Sequence, residues 1–155
     1  MKICVIGLGY IGLPTAAMFA RSGMDVLGVD RNIIITEALN EGRIVIEENG
    51  LAELIRSVVS EGRLRAAVQP EEASAFIIAV PTPIRENKTA DMTFVESATR
   101  SLVPYLRPGN IVILESTSPV GTVDELMKPI LEESGLKAGV DFYLGHSPER
   151  VIPGS

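Results

Sequence analysis

The residues able to do chemistry in this chain are few, and they stand where apolar runs end. Gly7, Gly9 and Gly12 follow directly on Lys2-Ile3-Cys4-Val5-Ile6, and Asp30 closes the next run, Asp25-Val26-Leu27-Gly28-Val29. Later runs end in Val80-Pro81-Thr82-Pro83, in Glu115-Ser116-Thr117-Ser118-Pro119-Val120-Gly121 and in Ser147-Pro148-Glu149-Arg150. The Gly-x-Gly-x-x-Gly spacing suits a backbone that reverses from a buried strand at Gly7 and meets a pyrophosphate at Gly9 with no Cβ in the way. Gly12 then lets a helix lie close on the strand. The first-turn N–H groups of such a helix lack intrahelical partners and carry the positive end of its dipole, which makes them a site for a diphosphate. Asp30 would accept the hydroxyls of an adenine ribose. Glycines also cluster in ordinary turns, so the reading rests on strand, glycines, helix and acidic strand end all falling at the right spacing. Prolines in the later loops hold backbone rigid against a planar ligand, and Thr82, Ser116 and Thr117 offer hydroxyls to ribose or phosphate oxygens.

Each of these residues also has a plainer use. Thr82 can cap the loop after its strand. Glu149 and Arg150 can form a surface ion pair worth ~0–1 kcal/mol. His146, the sole histidine, reads as a hydrogen-bonded filler and takes no role. Arg31 could be taken for a contact to the extra phosphate of NADP, but the acidic Asp30 beside it competes with a phosphate, so Arg31 stacks on adenine or is solvated. Met18, Met92 and Met127 fall at helical spacings and read as core.

The elements that must position these residues alternate between strand-like and helix-like patterns. This is the signature of an α/β, Rossmann-like, doubly wound and mostly parallel sheet with helices on both faces. Strands are predicted at Lys2 to Ile6, Asp25 to Asp30, Leu64 to Val68, Ala75 to Val80, Asn110 to Leu114 and Phe142 to Leu144. Leu13, Ala17 and Ala20 line one face of the first helix, with Pro14 tolerated in its opening turn. Asn32 can cap a helix that stops at Gly42, and Leu51, Leu54, Ile55, Val58 and Val59 mark another. A further helix runs from about Asp91 to Tyr105. Thr122-Val123-Asp124-Glu125 is a capping-box pattern for a last helix, with Val123, Leu126, Met127, Ile130 and Leu131 inward and a kink at Pro129. In such sheets ligands bind outside the carboxyl ends of the strands, near the point where strand order reverses.

Composition narrows the classes. The chain has 155 residues with 46% hydrophobic content, which suits one domain with a real core. Fourteen basic against twenty acidic residues give a net charge of -6, with no basic run and few aromatics, so a nucleic-acid surface is not expected. Cys4 is the only cysteine and lies in the first strand, so no internal disulfide and no cysteine cluster for metal is expected. The apolar run at the N-terminus is too short for a signal peptide or a membrane span, and a cytoplasmic protein is the expectation.

Gly7-Leu8-Gly9-Tyr10-Ile11-Gly12-Leu13-Pro14, Val80-Pro81-Thr82-Pro83, Glu115-Ser116-Thr117-Ser118-Pro119-Val120-Gly121-Thr122 and Pro148-Glu149-Arg150-Val151-Ile152-Pro153-Gly154 together resemble the UDP-glucose/GDP-mannose dehydrogenase family over the whole chain. The Glu115-Ser-Thr-Ser-Pro form resembles the branch acting on UDP-N-acetylmannosamine more than the UDP-glucose branch, which usually shows Lys-Ser-Thr-Val-Pro. Members oxidise the C6 hydroxymethyl of a nucleotide-diphospho-sugar to a carboxylate with two NAD in succession. The resemblance implies that Gly7, Gly9, Tyr10, Ile11 and Gly12 hold the pyrophosphate, Asp30 and Arg31 the adenosine, and Val80, Pro81, Thr82 and Thr117 the nicotinamide half. It implies catalytic roles for Thr117 and for Glu149, the latter orienting or deprotonating the water that hydrolyses a thioester, and contacts from Glu149, Arg150 and Val151 to the sugar nucleotide.

The resemblance further implies that residues 1–155 are a cofactor domain. A central dimerising helix, a second α/β domain for UDP, and the family's Lys, Asn and nucleophilic Cys would lie elsewhere, in a protein that is a homodimer when whole. Cys4, on a buried strand before the glycine turn, cannot stand in for that Cys. Glu48-Asn49-Gly50-Leu51 departs from the family's Glu-Pro-x-Leu, which leaves the start of that helix less rigid without touching the chemistry. Two other readings share the glycine turn: a nucleotide-sensing domain of the potassium-channel gating type, and a dehydrogenase of the 6-phosphogluconate or hydroxyisobutyrate type. The first leaves the Thr117 and Glu149 segments unexplained, and the second would carry a glycine-rich loop where Ser116-Thr117-Ser118-Pro119-Val120-Gly121 stands.

Overall fold

The computed structural model describes residues 1–46 and 48–149. In chain order the elements are β1 (Lys2–Ile6), α1 (Gly12–Arg21), β2 (Asp25–Val29), α2 (Ile33–Asn40), α3 (Leu51–Ser60), β3 (Leu64–Ala67), β4 (Ala75–Ile78), α4 (Thr93–Leu102), β5 (Ile111–Leu114), α5 (Lys128–Glu132) and β6 (Tyr143–His146). A 3-10 turn, Val103–Tyr105, extends α4, and a π-helical turn, Thr122–Met127, leads into α5.

The strands form one sheet in the order β3-β2-β1-β4-β5-β6, with every neighbouring pair parallel. This is the doubly wound order expected when right-handed crossovers run outward in both directions from a central strand. β1 and β4 lie side by side, Ile3 opposite Ala75 and Ile6 opposite Ile78, and between their carboxyl ends the chain order reverses. Because side chains alternate across a strand, β1 feeds two cores at once. Ile3 and Val5 pack with Leu13, Ala16 and Ala17 of α1 and with Ile55 and Val58 of α3. Cys4 and Ile6 pack on the opposite face with Val95 and Leu102 of α4, Leu131 of α5 and Phe142. Each fully buried Leu, Ile or Phe contributes roughly 1.5–3 kcal/mol relative to leaving it in water.

Local chemistry sets the element ends. Asn32 Oδ1 accepts from the N–H of Ile34 at 3.0 Å, the expected cap of α2. Asp91 Oδ1 accepts from the N–H of Thr93 at 3.0 Å and from its hydroxyl at 2.6 Å, so α4 begins two residues after Asp91, and its last turn tightens to 3-10 geometry around Pro104. Gly50 takes the N-cap of α3 at φ 74°, the turn that Asn49-Gly50 permits where proline is usual in the resembled family.

Two expectations need correction. The capping box at Thr122 does not form. Gly121 holds the N-cap at φ 90°, its carbonyl accepts from Glu125 N–H at 2.8 Å, and the Thr122 hydroxyl donates backward to the Pro119 carbonyl at 2.8 Å. At Pro129, where a kink was expected, the π turn Thr122–Met127 ends and Pro129 falls in the first turn of α5, where its missing N–H is not needed. Met127 is fully buried and Met92 partly so, but Met18 is 52% exposed, because Leu13, Ala16, Ala17 and Ala20 already fill the inner face of α1.

Candidate functional site: a dinucleotide crevice and an adjoining acidic groove

At the carboxyl ends of β1, β2, β3 and β4 lies a cavity of about 650 Å³. Gly7, Gly9, Tyr10, Ile11, Asp30, Arg31, Val80 and Pro81 all line it. Two of the three glycines in the turn that forms its floor are demanded by the backbone itself. Gly7 has φ 95°, and a Cβ there would stand 2.5 Å from the Ala79 carbonyl oxygen. A Cβ on Gly12 would stand 1.8 Å from the Gly7 oxygen and 3.2 Å from the Ala79 Cβ, so Gly12 brings α1 against the strand ends. Around Gly9 nothing lies within 4 Å of a built Cβ, which leaves the cradle clear for a ligand at that residue. A crevice lined by the turn that leads into α1 and by an acidic strand end fits a dinucleotide.

Asp30 does more than wait for a ribose. Its Oδ2 accepts from the N–H of Leu8 at 3.0 Å and its Oδ1 from the N–H of Asn32 at 2.9 Å, so one carboxylate ties the glycine loop to the start of α2. A carboxylate has about four acceptor sites, so two remain for hydroxyls. Arg31 is exposed, and its guanidinium lies 3.5 Å from the Ser97 hydroxyl across the mouth of the cavity.

Thr82 and Thr117 lie outside the cavity lining, together. The Thr82 hydroxyl donates to the Thr117 carbonyl at 2.7 Å, joining the loops that follow β4 and β5. Ser116, expected to offer its hydroxyl to a ligand, is buried and donates it to the Val80 carbonyl at 2.7 Å. His146 Nε2 lies 3.3 Å from the Ser116 carbonyl oxygen, the filler contact expected of it. Arg150 and Val151 lie outside the described residues.

Glu149 faces a second groove, of about 490 Å³, that shares Tyr10 and Ile11 with the first cavity and continues along Pro14, Thr15, Met18 and Phe19 of α1. Thr15, one of the residues of this groove, has its hydroxyl 3.2 Å from both carboxylate oxygens of the half-buried Glu115. Burial pushes the Glu115 carboxyl above the usual carboxylate range; the Thr15 hydrogen bond partly offsets this, and the Glu149 charge adds to it. Cys4 is inert here: burial pushes its thiol up to about 12.

The sequence reading missed three groups of site residues. Val68, Gln69 and Pro70 after β3 line the cavity, as do Phe94, Ser97 and Ser101 on α4. The i, i+3, i+7 spacing of the latter was a usable signal, since it marks the face of α4 beside the buried Val95, Ala98 and Leu102. Thr15 with Glu115 carried no such signal.

Fold and crevice define a dinucleotide-binding domain of the doubly wound class. Residues 1–155 match the UDP-glucose/GDP-mannose dehydrogenase family, NAD binding domain, and the chain belongs to that family as its NAD-binding domain. It is 50% identical to a UDP-N-acetyl-D-mannosamine dehydrogenase of Campylobacter jejuni over 161 residues, covering 99% of this chain and 40% of that one. The solved UDP-N-acetyl-mannosamine dehydrogenase of Staphylococcus aureus superposes with a TM-score of 0.95 at 47% identity, covering 99% of this chain and 38% of that one. The chain thus spans about 40% of the length of the curated relatives it matches. A 3-hydroxyisobutyrate dehydrogenase of Salmonella typhimurium reaches a TM-score of 0.54 at 17% identity, a likeness of fold alone. Neither the hydroxyisobutyrate reading nor the channel-gating reading is favoured beside the family match. Among the described residues no helix is long and apolar enough to cross a membrane.

Proposed function

We propose that this chain is the cofactor half of an NAD-dependent nucleotide-sugar 6-dehydrogenase that oxidises UDP-N-acetyl-D-mannosamine to the uronate. The observation that carries the reading is the adjacency of the two concavities: a crevice shaped for a dinucleotide and a groove holding Glu149, with Tyr10 and Ile11 between them. NAD, when bound, supplies the hydride acceptor. The residues of this chain hold and orient it: backbone N–H groups at Tyr10 and Ile11, leading into α1, for the pyrophosphate, with Gly7, Gly9 and Gly12 giving access, Asp30 and Arg31 for the adenosine, and Val80, Pro81, Thr82 and Thr117 toward the nicotinamide.

Glu149, with Thr117 beside the reacting groups, would serve the hydrolytic stage. Water adds to a thioester carbon, its proton passes to the Glu149 carboxylate, and the C–S bond breaks to release the acid and the thiol. Glu149, Arg150 and Val151 would touch the sugar nucleotide. The thiol, the dimerising helix and the UDP-binding domain would come from sequence beyond this domain, in a cytoplasmic homodimer. Calorimetric titration of this chain with NAD tests the cofactor assignment, and absence of binding would remove it. NADH formation from UDP-N-acetylmannosamine by the longer parent chain, abolished by Glu149→Gln, tests the assignment of the carboxylate.

A further inference from the structure

The glycines of the turn let a backbone approach a pyrophosphate, but Leu8, between two of them, is what holds the turn in place. Its side chain is fully buried, and its N–H donates to Asp30 Oδ2 at 3.0 Å. The N–H before it, of Gly7, donates to the Val29 carbonyl at 2.8 Å. Both groups are thus bound to the end of β2 and are not available to a ligand. Beyond them, among the described residues, the N–H groups of Gly9, Tyr10, Ile11 and Gly12 have no partner, while Leu13 and Thr15 already donate back to Gly9 and Ile11.

A glycine outside the fingerprint makes room for this arrangement. Gly28 lies inside β2, opposite Val5 of β1 and Ala66 of β3, where glycine weakens a strand and a branched residue would be usual. A Cβ there would stand 2.8 Å from Leu8 Cδ2 and 3.1 Å from its Cδ1, so the space that a side chain would take is filled by Leu8. Gly28 and Asp30 are two residues apart and face the same side of β2. One seats the Leu8 side chain and the other holds its N–H.

We propose that Gly28 and Asp30 are positioning residues for the pyrophosphate: together they pin Leu8, and the pin aims the N–H groups from Gly9 to Gly12 before a ligand arrives. This rests on the cofactor reading and deepens it, since Asp30 then acts on the phosphates through the turn as well as on the ribose by contact. A cradle set in advance loses little ordering entropy on binding, so undoing the pin appears as lost affinity for the phosphates.

Calorimetric titration of this chain, well below its Tm, separates the roles. Gly28→Ala should fold, because the added Cβ meets only the end of a flexible side chain. It should weaken NAD about tenfold, the size of one misdirected hydrogen bond to a charged group, while adenosine, which carries no phosphate, binds as before. An equal loss for adenosine and NAD would mean a merely structural role, and unchanged NAD affinity would mean none; either overturns the proposal. Asp30→Ala is read with an NAD that lacks both hydroxyls on its adenosine ribose. A residue serving only the ribose leaves the affinity for this analogue unchanged, or raised by removal of a negative charge, whereas the pin requires a fall of about tenfold. Amide hydrogen exchange adds a reading without ligand: the Leu8 N–H should exchange faster in both variants than in the parent chain, and an unaltered rate overturns the pin. A parent chain that binds no NAD defeats the cofactor reading and the proposal together; one that binds it equally well with and without the pin defeats the proposal alone.

Discussion

A built Cβ on Gly12 lies 1.8 Å from a backbone oxygen, whereas one on Gly9 meets nothing within 4 Å, and this contrast separates fold from function inside a single turn. The Gly7 oxygen cannot yield without moving β1, so Gly12→Ala should destabilise the chain by about 3 kcal/mol or more, read as a fall in Tm. Gly9→Val should leave the Tm near that of the parent chain while NAD binding collapses, since the branched side chain fills the cradle. Unchanged NAD affinity in folded Gly9→Val would refute the phosphate-cradle reading. Asp30 sets the second residue-scale expectation. A 2′-phosphate at ~4 Å from its carboxylate would be repelled by about 4 kcal/mol at an effective dielectric of 20, and partial exposure cuts this several-fold. NAD should therefore bind at least tenfold more tightly than NADP, about 1.4 kcal/mol, by calorimetry. Because Asp30 also accepts from Leu8 and Asn32, Asp30→Asn must set an amide donor against one of two N–H groups, and it should cost about 1–3 kcal/mol of stability while narrowing the preference.

At the scale of elements, β1 and β3 are clipped together at their edges by Glu71, which accepts from Lys2 at 2.8 Å and from Arg65 at 2.6 Å. These two cations hold the Glu71 carboxyl at about 2, below its ordinary 4.5, with the Arg65 bond the larger cause. A depressed folded-state value adds stability above the ordinary carboxylate range and loses it as pH falls toward about 2. Arg65 and Glu71 are largely solvated and Lys2 partly so, which holds the contribution to about 1 kcal/mol at most. The Tm difference between the parent chain and Glu71→Gln should accordingly be largest near neutral pH and vanish in acid. Most elements were legible because their causes are local: continuous apolar runs for strands buried on both faces, 3.6-residue spacing in α3, Asn32 as a cap. Where the cause is not local the reading stopped short. The π turn before Pro129 arises from Gly121 taking the left-handed cap, a choice that Thr122 disguised as a capping box. Thr15 and Glu115 are a hundred residues apart, and only the sheet order brings α1 within reach of the end of β5. Half of the crevice was legible for the opposite reason: Gly7 to Ile11 and Asp30 are placed by adjacent β1 and β2, one short crossover apart.

The described residues form a six-stranded doubly wound sheet and line its dinucleotide crevice, and the chain matches about 40% of the length of its relatives. These two facts set different expectations for binding and for turnover. Pyrophosphate and ribose contacts need only the turn from Gly7 to Gly12 and Asp30, so NAD should raise the Tm of this chain by mass action on the folded state. Hydride transfer needs the sugar carbon held at near-attack distance, and no rate follows from holding one reactant in place while the other diffuses freely. UDP-N-acetylmannosamine should therefore leave the Tm little changed, and the chain with NAD and any UDP-hexose should form no NADH above background. Steady NADH production by the purified chain would show that the catalytic groups lie within residues 1–155. Cys4 could not supply the nucleophile even in that case, since a thiol pushed up to about 12 on a fully buried strand should resist alkylation until the chain is unfolded, a result thiol titration with and without denaturant would check.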